Sequence, residues 1–182
     1  MSHPQFQEEM LTRPLALSDE QGLLDLVQIN RERIRRYFPL TVEQISNPAS
    51  TQRFLLQCQA RQQRKEQYIF VIEDPAKKRL AGMLYIKNIE WRVPKCELAY
   101  FIDGDYEGMG LTSEAIGGLS QFAFDQLGME KLYVRVDPAN LGSCRVAEKN
   151  GFELEGILRK EFRTPDGDLV DIAYFGKIRH AR

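Results

Sequence analysis

Apolar and polar positions along this chain change period several times, and each change marks an element. Residues 11–17 read as a first strand, edge-like or irregular because Arg13 and Pro14 interrupt it. Leu23, Leu24, Leu26, Val27 and Ile34 then recur at helical spacing. They predict a helix to about Tyr37, with Ser18 as N-cap, Gln21 at capping-box distance and Pro39 as terminator. Asn47-Pro48 opens a second helix, with Phe54, Leu55 and Cys58 inward and Arg61, Arg64 and Lys65 near its end. Strands follow at 68–73, 80–89 and 96–102, rich in β-branched and aromatic residues. Leu111, Ala115, Leu119 and Phe122 return to helical spacing, and Leu127-Gly128 stops that helix. A strand at 131–136, a short helix at 143–149 and a closing hairpin (155–162 and 169–178, turning at Pro165-Asp166-Gly167) complete the chain. The order is strand, two helices, three strands, helix, strand, helix, two strands. It predicts an α/β mixed sheet with helices on both faces. With no repeat and no linker, residues 1–182 read as a single domain in which 1–9 are peripheral.

Composition narrows the function. Apolar residues make up 43% and the net charge is −1, without the basic excess of a nucleic-acid binder. No apolar run reaches membrane-spanning length, and the N-terminus lacks the apolar core of a signal peptide. Cys58, Cys96 and Cys144 are odd in number and far apart, which suggests neither a disulfide framework nor a zinc site. A cytoplasmic protein with no metal is expected. The only histidines are His3 and His180, both close to a terminus. A Ser/His/Asp set is thereby disfavoured, so a general base must be a carboxylate, a tyrosine or a water relay.

The most informative stretch is 103–114, Asp-Gly-Asp-Tyr-Glu-Gly-Met-Gly-Leu-Thr-Ser-Glu, where a strand turns into a helix. Gly108 and Gly110 let the backbone approach a ligand closely, and the first helical turn offers unpaired N–H groups to an anion. A dinucleotide fingerprint would need a third glycine where Ser113 stands, and a P-loop would need lysine where Leu111 stands. A phosphate cradle of another kind remains, or a simple tight turn.

The flanking chain decides between them by resemblance. Asp105-Tyr-Glu-Gly108-Met-Gly110 resembles the Gln/Arg-x-x-Gly-x-Gly/Ala acetyl-CoA motif of the GCN5-related N-acetyltransferases (GNAT), with Asp105 in place of Gln or Arg. Asn140-Leu-Gly-Ser143 through Glu148-Lys149-Asn-Gly151-Phe152 is similar to a second motif of that superfamily. Glu155-Gly-Ile-Leu-Arg159 resembles the RimJ/RimL type, the ribosomal-protein N-terminal acetyltransferases. The likeness spans roughly residues 10–178. It implies a mostly antiparallel seven-stranded sheet, splayed like a V between the fourth strand (96–102) and the fifth (131–136). It further implies pantetheine along Leu98, Ala99, Tyr100, Phe101 and Ile102, with an N–H between Leu98 and Tyr100 on the thioester carbonyl. Pyrophosphate would lie on Gly108, Met109, Gly110, Leu111, Thr112 and Ser113, and the leaving thiolate near Asn140 and Ser143.

By the same resemblance Glu161 is the first candidate base and Glu97 the second. Each also reads as an ordinary sheet glutamate, and Ser143 as a helix cap. Cys144 reads as a buried helix cysteine, because direct transfer needs no acyl-enzyme. Asp105 and Glu107 would bring negative charge to the pyrophosphate and lower cofactor affinity. The acceptor wall is expected from the first two helices and the closing hairpin. Arg31, Arg33, Arg35 and Arg36 there form either a solvated helix end or a patch steering an acidic protein. The implied acceptor is the N-terminal amine of a ribosomal protein. A small amine (polyamine, amino acid or antibiotic) and a non-catalytic acyl-CoA sensor are the alternatives, and a homodimer is a further expectation.

Overall fold

The computed structural model describes residues 10–179; His3, His180 and the 1–9 segment lie outside them. Seven strands form one sheet: β1 (Leu11–Pro14), β2 (Tyr68–Asp74), β3 (Arg79–Glu90), β4 (Lys95–Ile102), β5 (Lys131–Val136), β6 (Glu153–Arg163) and β7 (Leu169–Ile178). Their spatial order is β1-β2-β3-β4-β5-β7-β6, antiparallel except for β4 beside β5. Side chains alternate across each strand, so the sheet serves two cores. On β4, Cys96 and Leu98 pack with Ile116 and Leu119 of α5 (Leu111–Asp125) and Ala147 of α6 (Leu141–Lys149). Phe101 turns the other way, to Leu23 and Leu26 of α1 (Glu20–Ile29) and Phe54 of α4 (Pro48–Gln63). Among the described residues no helix is long and apolar enough to cross a membrane.

The one parallel pair is short. Lys95, Cys96 and Glu97 meet Lys131, Leu132 and Tyr133, and beyond them β4 and β5 part. The edge of β4 from Leu98 to Ile102 therefore faces β5 without a ladder partner. Backbone polar groups left that way need water or a ligand. The V-shaped splay expected from the sequence is present.

The helical layer departs from the predicted pattern at several points. The single helix expected up to Tyr37 is broken at Asn30 into α1 and α2 (Arg31–Ile34). Asn30 is only 2% exposed. Its side-chain amide donates to the Leu26 carbonyl at 3.0 Å, and its Oδ1 accepts from Gly104 N at 3.2 Å and Arg33 Nη1 at 2.6 Å. A short amide that satisfies backbone outside its own helix competes with helical continuation. Pro39 begins α3 (Pro39–Gln44) rather than only ending what precedes it, since proline's missing N–H is harmless in a first turn. Ser18 lies inside a 3₁₀ turn, and Asp19 instead accepts from the Ala16 N–H at 2.8 Å. The first strand stops at Pro14, and the last short helix begins at Leu141.

Asn30 thus joins the helical layer to the loop after β4. Asn30→Ala would leave the Gly104 N–H unsatisfied, at a cost of about 1–3 kcal/mol. A fall in melting temperature of roughly 2–4 °C per kcal/mol is expected in thermal unfolding. An unchanged melting temperature would reduce Asn30 to a spacer.

Candidate active site

The splay opens into a cleft of about 750 Å³. At one end lies the glycine bend. Gly108 and Gly110 adopt φ of 76° and 82°, and a Cβ built on either would find no atom within 4 Å. The bend therefore borders open space that a ligand could fill. Gly110 is the N-cap of α5, and the first bond back into the helix is Glu114 N to Gly110 O at 3.1 Å. The N–H groups of Leu111, Thr112 and Ser113 are left to face an anion. Asn150, at the end of α6, donates to Ser113 Oγ at 3.0 Å and so locks α6 against this first turn.

Helix α6 supplies the facing wall. Asn140, not Ser143, caps it: Asn140 Oδ1 accepts from Ser143 N at 3.1 Å. The Ser143 hydroxyl lines the cleft and has no hydrogen bond among the described residues. Tyr100 spans from β4 to donate its O–H to the Ser143 carbonyl at 3.1 Å, and burial holds that phenol above its ordinary value. Arg145 and Lys149, one helical turn apart, line the same end and form no ion pair among the described residues. Bare N–H groups, two free cations and the absence of any Cβ form a site for phosphate groups such as those of coenzyme A. Burial first, then Glu148 and Asp137, hold the Cys144 thiol above its ordinary value. It is protonated and a poor nucleophile.

The expected excess of negative charge at this bend is partly offset. Asp105 sits 3.3 Å from Arg79, which also holds the buried Asp103 at 2.6 Å. Glu107 pairs with Arg33. In and after α2, Arg35 pairs with Asp166 and Arg36 lies 4.0 Å from both Asp137 and Asp168, whereas Arg31 is exposed and forms no ion pair among the described residues. Tyr37 adds a hydrogen bond to Asp137 at 2.8 Å. Helix α2 and its C-terminal turn thus strap across the mouth of the splay, tied to the loop after β4, the end of β5 and the closing hairpin.

The other end of the cleft gathers Lys87, Glu97, Arg135, Phe162 and Ile172. Glu97 is 3% exposed. It accepts from Asn88 Nδ2 at 2.6 Å and faces Lys87 Nζ at 3.4 Å. A bulge in β3 makes this possible, with Asn88 at φ 50° turned toward Glu97. Tyr133 lies opposite Glu97 in register; burial, then the Glu97 charge, push its phenol up to about 12. Glu161 stands beside the cleft rather than on its wall. A wide bulge in β6 sets four steps, Leu158 to Phe162, against two on β7. Phe162 faces the cleft, while Glu161 lies 3.7 Å from Arg135 and accepts from the Tyr174 O–H at 3.4 Å.

Of the residues expected on the cofactor, Ala99, Tyr100, Phe101, Ile102, Gly108, Gly110, Thr112, Ser113, Asn140 and Ser143 line the cleft. Leu98 sends its side chain into the core, Met109 is 64% exposed and Leu111 packs against the core. Leu98 and Leu111 can therefore contribute only backbone. Lys87, Asn88, Arg135 and Arg145 were not singled out from the sequence. The spacing of Arg145 and Lys149 just beyond Ser143 was a readable signal for a basic wall. Nothing local marks Lys87, Asn88 or Arg135.

Comparison with known proteins agrees with this geometry. The family model described as acetyltransferase (GNAT) domain matches residues 10–153. The chain is 30% identical over 152 residues to Probable N-acetyltransferase YjcK of Bacillus subtilis, covering 83% of this chain and 84% of that one. Its fold superimposes on the ribosomal-protein-S5-alanine acetyltransferase of Vibrio fischeri with a TM-score of 0.88, at 22% identity over 94% and 93% of the two chains. A RimL ribosomal L7/L12 α-N-protein acetyltransferase solved with coenzyme A gives 0.84, at 21% identity over 94% of each. Sheet, splay, phosphate bend and sequence agree that this chain belongs to the GNAT family and is an N-acetyltransferase using acetyl-CoA.

Proposed function

We propose that the acceptor is the α-amine of a protein or peptide N-terminus, of the ribosomal-protein kind. One observation carries this reading: both carboxylates at the acceptor end are already matched by cations, Glu97 by Lys87 and Glu161 by Arg135. No spare negative charge remains there to hold the second ammonium of a polyamine. Relatives of both kinds exist, a ribosomal-protein-serine acetyltransferase and a spermidine N(1)-acetyltransferase of Escherichia coli, each matching about half of the chain. Overall likeness therefore fits both kinds, and the charge pairing is what supports the peptide reading. An α-amine also asks less of the base: its pKa is about 7.7–8.0 against about 10.4 for lysine.

When bound, acetyl-CoA supplies a thioester acyl group. The unpaired edge of β4 offers backbone groups that would hold the pantetheine arm. An N–H between Leu98 and Tyr100 donates to the carbonyl oxygen as its charge grows. Glu97, which lines the cleft, takes the proton from the attacking amine through a water. The Ser143 hydroxyl, free because Asn140 does the capping, donates to the departing sulfur. The amine nitrogen gains the acyl carbon as the sulfur leaves, and Cys144 takes no part. Steady-state release of CoA with a peptide beginning in Ser or Ala, against spermidine and a control without acceptor, tests the assignment. Turnover with spermidine alone would replace it with the polyamine reading. No turnover with any amine would replace it with a sensor.

A further inference from the structure

Arg135 lines the cleft with hydrogen-bond donors that no described residue satisfies. It lies two residues beyond Tyr133, the last residue of β5 paired to β4. Continued register would set it opposite Ala99, at the very start of the splay. Its guanidinium stacks over the Tyr174 ring at 5.4 Å from the centroid, and its contact with Glu161, at 3.7 Å, is longer than a hydrogen bond. Among the described residues it makes no hydrogen bond at all, and its Nε is buried without a partner. An arginine offers five N–H donors in a fixed fork, and a buried donor left unmade is costly. The remaining groups around it, the Tyr133 and Tyr174 phenols and the Glu97 carboxylate, satisfy none of these donors in this arrangement. The side chain is 31% exposed and lines the cleft, so its Nη groups are the donors that an oxygen acceptor brought in by a ligand can meet at the acceptor end.

We propose that Arg135 receives the carbonyl or carboxylate oxygen that lies next to the reacting amine, making α-aminoacyl compounds the acceptor class. This deepens the reading of the site given above and rests on it. The amine of an α-aminoacyl group is separated from its carbonyl oxygen by a single carbon beyond the carbonyl. One side chain beside the thioester position can therefore hold that oxygen while the nitrogen attacks. Glu161 and Tyr174 act as positioning residues, holding the guanidinium over the ring on the cleft wall. Because Arg135 also matches Glu161, no carboxylate beside it is left to hold a second ammonium, which disfavours polyamines. Peptide N-termini and free amino acids share this chemistry, and the acceptor panel separates them.

The test uses the full chain and compares wild type with Arg135→Met and Arg135→Lys. Acceptors are a Ser- or Ala-initiated peptide, the corresponding free amino acid, an alkylamine of matching bulk without the carbonyl, and spermidine. Arg135→Met should raise the peptide KM about 10- to 100-fold, the range for a lost charged hydrogen bond. It should change kcat by less than about threefold, leave the acetyl-CoA KM alone and leave the alkylamine unaffected. Arg135→Lys should recover part of the loss. Calorimetry of peptide binding to the enzyme–CoA complex should show the same factor. An equal loss on peptide and alkylamine, an unchanged peptide KM, or a wild-type preference for spermidine over both α-aminoacyl compounds would overturn the proposal. The last comparison needs no variant to fold. Arg135-dependent peptide binding without any acetyl transfer would sustain this assignment while removing the catalytic reading. Absence of peptide and amino-acid binding to the wild-type CoA complex would remove the assignment itself.

Discussion

Glu97→Gln is expected to lower kcat by at least about 100-fold, the ordinary yield of a positioned general base. The substitution keeps the side chain's shape and an oxygen for Asn88 to donate to. Lys87, which loses its ionic partner, is itself 36% exposed and can turn to water. The fold and the acetyl-CoA KM should therefore hold, the latter within about threefold, and the loss should appear in kcat. Without the base, only the already neutral fraction of the acceptor amine reacts. The residual rate should follow deprotonation of the α-amine, rising with pH and levelling above about 8. Glu161→Gln is the informative comparison, because Glu161 sits beside the wall and touches Arg135 rather than the cleft. It is expected to raise the acceptor KM several-fold and leave kcat nearly intact. A collapse of kcat in Glu161→Gln with a near-normal Glu97→Gln would move the base to β6.

Gly110→Val is expected to raise the acetyl-CoA KM at least about 30-fold. Two effects add. At φ 82° an L side chain costs about 1–2 kcal/mol, more for a β-branched one. The new atoms also enter the space in front of the bend that is empty of protein within 4 Å. A ligand phosphate approaching the N–H groups of α5 would meet the side chain first. Thermal unfolding separates the two effects. The strain lowers the melting temperature of the free protein, whereas the lost cradle shrinks the further rise that a given concentration of CoA produces. Gly118→Ala is the control: it lies within α5, its Cβ would meet nothing within 4 Å, and helical propensity favours alanine there. It should keep full activity. CoA stabilising Gly110→Val as much as wild type would show that the phosphates do not rest on this bend.

The legible part of this protein was local. The period of apolar residues set the strands and the main helices, because burial on one face of an element depends only on spacing along it. The glycine pair before α5 and the Asn140–Ser143 turn announced an anion site and a capped helix, since both are properties of a few consecutive residues. Tertiary structure decided what distant residues do to one another. Asn30 breaks a helix because Gly104, far along the chain, needs an acceptor. The charges of Asp105 and Glu107 are partly offset because Arg79 and Arg33 reach them. Ser143 is free because Asn140 caps in its place. Arg135 looks in sequence like any polar residue of an alternating strand, and only the parting of β4 from β5 leaves its donors facing a cleft. Periodicity and backbone preference are written along a segment, whereas charge pairing and unsatisfied hydrogen bonds arise where segments meet, so they became readable only once the chain was folded.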